Sequence, residues 1–75
     1  MMAIYTVLTE AQLEAHTDKA DFISNNLYDT AKNPKRVMFR FDGSLPASLS
    51  SYESYTESEV QEMHSDSSSD WYLGH

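Results

Sequence analysis

The sequence predicts a small α+β domain, with a two- or three-stranded antiparallel sheet packed against helices. Three features predict it. Residues 3–8 are a run of apolar and β-branched types, and Lys35–Asp42 alternate between apolar and polar. Two Thr-x-x-Gln/Glu boxes, at Thr9 and Thr56, are placed to open helices. The 75 residues form one domain, 1–75, with an acidic, serine-rich segment over 42–70. An apolar content of 40% sets the chain apart from disordered sequences. A chain this short buries only about 60% of its unfolded surface. With no cysteine, neither a disulfide nor a thiolate metal site can reinforce the core. Oligomerisation or a larger partner is the expected support, and the oligomeric state stays open.

The first strand spans Met2–Leu8, with Ile4, Thr6 and Leu8 on one face and Tyr5 and Val7 on the other. Apolar groups on both faces predict a central or doubly covered strand. Thr9 then caps a helix, its hydroxyl reaching the Gln12 amide while Gln12 reaches back. A break near His16–Thr17 lets Asp18 cap a second helix with Asp21 at its N3 position. Ala20, Ile23, Leu27 and Ala31 recur three and four apart, with Phe22 widening the stripe, which predicts an amphipathic helix with one buried face. Pro34 ends it, because Asn33 is pushed out of the helical region. One helix or two over 9–32 are both compatible with the pattern.

Lys35–Asp42 is the clearest strand, with Val37, Phe39 and Phe41 facing one way and Arg36, Met38 and Arg40 the other. Val37, Phe39 and Phe41 are expected against Ile23 and Leu27. Asp42-Gly43 marks a turn and Pro46 delays the next element. Ser48–Tyr55 reads as an edge strand or extended segment, with Leu49, Ser51, Glu53 and Tyr55 on one face. Thr56 opens a helix to about His64, with Glu59 at N3 and Val60 and Met63 buried. Ser65–Asp70 is a polar loop, and Trp71, Tyr72 and Leu73 form an apolar tail expected to dock.

Charge is divided unevenly along this chain. Up to Arg40, five acids and five bases cancel. From Phe41 onward there are seven acids, Asp42, Glu53, Glu57, Glu59, Glu62, Asp66 and Asp70, and no Lys or Arg, so the net charge of −7 belongs to that part. Like charge disfavours nucleic acid and anionic membranes as direct partners and favours basic protein surfaces. No apolar run approaches the roughly 20 residues of a membrane span. No basic and apolar leader opens the sequence, so a cytoplasmic location is expected.

Motifs for catalysis are missing. Gly43 and Gly74 are the only glycines, so there is no phosphate-cradling loop and no nucleophile elbow. His16, His64 and His75 lack the ligand spacing of a metal site and read as solvated histidines. No enzyme, metal or cofactor is therefore expected. Ser50, Ser54, Thr56 and Ser67 each precede an acid by three residues, as acid-directed kinases accept; the plainer reading is a solvated loop.

The acids support a sharper expectation. Glu59, Glu62 and Asp66 stand three and four apart, about 5–6 Å between Cβ atoms on a helix, an interval resembling a row of backbone phosphates. Glu53, Glu57 and Asp70 extend the row, and Tyr52, Tyr55 and Trp71 supply the aromatic anchors of an interface. The competing reading is a solvated acidic face that maintains solubility.

In size, charge distribution and lack of enzymatic motifs, the chain resembles the small acidic inhibitors that phages make against host defence, above all anti-CRISPR proteins, several of which act as DNA mimics. The resemblance rests on the acids from Asp42 to Asp70 and on Tyr52, Tyr55, Trp71 and Tyr72, and on no shared motif. It implies binding to a Cas protein surface that otherwise holds DNA, in the cytoplasm of the host cell. The alternative is a small structural or accessory subunit that docks through its aromatic tail, Trp71–Leu73.

Overall fold

The computed structural model describes residues 2–32 and 35–72. Strand β1 (Ala3–Thr9) leads into helices α1 (Glu10–Glu14) and α2 (Lys19–Asn26). Strands β2 (Leu27–Lys32) and β3 (Lys35–Asp42), a 3₁₀ turn (Ala47–Leu49), strand β4 (Glu53–Thr56) and helix α3 (Glu57–Ser65) follow. The fold class is α+β, and the antiparallel sheet has four strands, in the order β2-β3-β1-β4. The fourth strand is β2, where the apolar stripe had predicted helix.

The predicted helix through Ala31 stops at Asn26. Its side-chain amide donates to the Arg40 carbonyl at 3.0 Å, fastening the helix end to β3. Asn25, Asn26, Asp29 and Thr30 are weak helix formers. Pairing Leu27–Lys32 with β3 instead satisfies backbone groups that would otherwise lie on an open edge. The stripe was a coincidence of spacing. Ile23 and Leu27 are 43% and 44% exposed, and Phe22 is the buried residue of α2. Asn33 and Pro34, on which the predicted helix stop rested, lie outside the described residues.

The sheet is covered on both sides. Leu13 of α1, Phe22 of α2 and Leu49 of the 3₁₀ turn cover Leu8 and Phe39 on one face, with Val37, Phe41 and Tyr52 beside them. The other face gathers Ala3, Tyr5, Val7, Ala31 and Met38 under Val60 of α3 and Trp71. This explains why β1 is apolar on both faces and why Met38, expected among the arginines, is fully buried. Thr6 is also fully buried, and its hydroxyl donates to the Glu53 carbonyl at 2.8 Å. After β3, Gly43 takes a φ of 93° that side-chain-bearing residues avoid, and its amide donates to Met2 O at 3.2 Å.

Only part of Ser48–Tyr55 is extended. The 3₁₀ turn breaks the alternation, so Leu49 joins one core and Tyr55 packs against the other instead of sharing a face with it. Strand β4 is an edge strand of four residues.

Both predicted capping boxes are present. Thr9 Oγ1 accepts from the Gln12 amide at 3.2 Å while Gln12 Oε1 accepts from the Thr9 amide at 2.9 Å. Thr56 and Glu59 repeat this at 3.2 and 2.8 Å. Asp18 occupies the N-cap of α2, but its side chain makes no cap bond; its carboxylate accepts instead from the Thr17 hydroxyl at 3.3 Å. Thr9→Ala and Thr56→Ala should each cost about 1 kcal/mol. For a domain this small that lowers Tm by roughly 4–8 °C. Thermal unfolding checks it, and Asp18→Ala, which removes no cap bond, should be nearly silent.

A candidate acidic interface

Thr56 is at once the last residue of β4 and the N-cap of α3, so strand and helix join without a loop. This joint places the acids. Glu59 and Glu62 lie along one flank of the helix, since residues three apart share a face, and Asp66, the extended residue that ends it, lines the same groove. Val60 is turned to the core, with Met63 half-buried against it. An open groove of about 550 Å³ runs along the flank, lined by Tyr55, Glu59, Glu62, Met63 and Asp66, with Ser65 and Ser69 completing it. It is mainly carboxylate and hydroxyl, with Tyr55 and Met63 as its apolar part.

Two of these acids are held by local hydrogen bonds. Glu59 Oε1 is engaged by the Thr56 amide in the capping box. Asp66 accepts from the Ser68 amide at 3.0 Å and hydroxyl at 2.7 Å, and these bonds hold its carboxyl below the usual range. The stabilising effect of that turn is fully present above the ordinary Asp range and is lost as pH falls through the lowered, folded value. Tyr55 donates its hydroxyl to Glu53 Oε2 at 2.7 Å. That bond first, then burial and the Glu53 charge, push the Tyr55 phenol up, so it stays a neutral donor.

Four of the nine residues picked out from the sequence line the groove: Tyr55, Glu59, Glu62 and Asp66. Glu53 adjoins it through Tyr55. The other four stand elsewhere. Glu57 is half-buried in the field of Arg40. Asp70 is paired with Arg36 at 2.5 Å. Tyr52 belongs to the opposite face, hydrogen-bonded to His16 Nε2 at 2.8 Å. Trp71 is 4% exposed, a core residue instead of a displayed anchor, while Tyr72 is 45% exposed and Leu73 lies outside the described residues.

No family model matches the chain, and no curated protein or solved structure matches it. The geometry of the chain itself therefore carries the functional reading.

Four of the five bases are drawn into pairs with acids. Lys19 pairs with Glu14, Lys35 with Glu10 at 3.2 Å, Arg36 with Asp70 and Arg40 with Asp42 at 3.4 Å. None of these four ion pairs involves Glu59, Glu62 or Asp66.

One cluster had no sequence signal. His64 Nε2 meets Asp29 Oδ2 at 3.0 Å, with both side chains largely covered. Tyr28 stacks on His64 at 5.8 Å and meets the edge of Tyr5 at 5.0 Å. The Tyr5 hydroxyl accepts from Arg40 Nε at 3.2 Å. These contacts tie α3 to β2 across a long stretch of chain, which local spacing cannot reveal. Among the described residues no three His, Asp or Glu side chains are grouped to hold a metal ion. No described helix is long and apolar enough to cross a membrane.

Proposed function

We propose that the chain is an acidic protein-binding inhibitor that occupies a basic nucleic-acid-binding surface of its partner by DNA mimicry. The partner class that fits is a nucleic-acid-binding protein of the Cas kind, met in the host cytoplasm, with the chain acting as a phage anti-CRISPR protein. One observation carries the reading: Glu59 and Glu62 on one flank of α3 and Asp66 just past its end line one groove, beside Tyr55 and Glu53. A row of carboxylates at helical spacing offers a basic groove what a run of phosphates offers. Tyr55 and Met63 add apolar contact beside the charge.

The alternative, an accessory subunit docking through its aromatic tail, requires Trp71 to leave the chain's own core. The two readings separate by salt. Capture of the partner from host lysate on the immobilised protein, followed by binding from 50 mM to 500 mM salt, tests them. Mimicry requires affinity to fall steeply with salt and DNA to compete for the same surface. Salt-tolerant binding that DNA does not displace would reject it.

A further inference from the structure

The segment after α3 is joined to the body in an unusual way. Asp66–Tyr72 belongs to no strand of the sheet. The hydrogen bonds that shape it are local. Asp66 accepts from Ser68, the Ser69 amide donates to the Asp66 carbonyl at 2.9 Å, and the Tyr72 amide donates to the Ser69 carbonyl at 3.2 Å. The Trp71 amide donates to Ser69 Oγ at 3.1 Å. The segment is thus a turn shaped by its own hydrogen bonds.

Arg36 of β3 makes two contacts with it. Arg36 Nη2 donates to Asp70 Oδ2 at 2.5 Å, and the same guanidinium lies 5.4 Å from the centre of the Trp71 ring. Trp71 itself is buried in the apolar cluster of Ala3, Tyr5, Val7, Ala31, Met38 and Val60. The ion pair is half open to solvent on the Asp70 side, so ions screen it.

We propose that Asp66–Tyr72 is a hinged strap that opens independently of the fold, with Arg36 as its clasp and Trp71 as its plug. Opening removes Asp66 and Ser69 from the acidic groove and uncovers an apolar socket on the same face. The strap therefore sets both the shape of the groove and the amount of apolar surface the protein shows. This inference stands whether or not the groove binds a basic partner.

Trp71 is the only tryptophan, so its signal reports the strap alone. The test is acrylamide quenching and emission wavelength of the full chain, with 5-fluorotryptophan fluorine resonances to count open and closed forms. Asp70→Asn removes one exposed ion pair and should raise the open population by about two- to fivefold. Arg36→Gln also removes the cation–ring contact and should raise it further. Asp42→Asn makes the same charge change at a distant pair and should leave Trp71 unmoved. In the parent, Trp71 should begin to respond to urea before the far-UV circular dichroism transition. If Asp70→Asn leaves quenching unchanged, or if Trp71 and backbone signals change together in every variant, Trp71 leaves only when the domain unfolds and the strap is overturned.

Discussion

Phe39→Ala leaves the domain largely unfolded. Phe39 is fully buried, with Phe22 at 6.0 Å between ring centres and Leu8, Leu13 and Leu49 around it. It lies on β3, which pairs with both β1 and β2, so the cavity opens beneath two strand junctions. Truncating a buried aromatic ring to a methyl costs roughly 3–5 kcal/mol, transfer and cavity together. At about 0.05–0.15 kcal/mol per residue, a domain of this length has only about 4–11 kcal/mol to lose. Urea unfolding followed by circular dichroism measures it. Ile23→Ala is the contrast: at 43% exposure it should cost well under 1 kcal/mol, although the helical stripe had placed Ile23 in the core. A Phe39→Ala protein that melts within a few degrees of the parent would overturn this account of the core.

The second large effect concerns binding. Changing Glu57, Glu59 and Glu62 to Gln and Asp66 to Asn removes four charges and keeps the shapes. The fold should persist. Gln at position 59 can still accept from the Thr56 amide, as Gln12 does from Thr9. Asn at position 66 can still accept from Ser68. Steering by a charged surface raises association rates by about 10- to 1000-fold. Affinity for the captured partner at low salt should fall within that range, mainly through a slower on-rate. The same changes at Glu10, Glu14, Asp18 and Asp21 should have far less effect, since two of these acids already pair with lysines. Surface plasmon resonance at two salt concentrations gives both rates. A quadruple variant that binds as tightly as the parent removes the basis of the mimicry proposal.

Local rules carried far in this chain. The two capping boxes, the β1 and β3 strands, the turn at Gly43 and α3 are all written in neighbouring residues: a threonine with its N3 partner, strict alternation, Asp-Gly. The common side of Glu59 and Glu62 was legible for the same reason, because residues three apart on a helix share a face. What local pattern could not decide was pairing over distance. The stripe Ala20, Ile23, Leu27, Ala31 fits a helix as well as it fits a helix followed by a strand. Only the open edge of β3, waiting for a partner, settles Leu27–Lys32 as β2. The fates of the aromatics are of the same kind. Tyr55, Tyr52 and Trp71 look alike beside the acids in sequence, yet Tyr55 lines the groove, Tyr52 turns to His16 on the far face, and Trp71 is drawn into the core under Arg36. Nearby residues set which elements form, while burial against partners tens of residues away decides which side chains remain for a partner to touch.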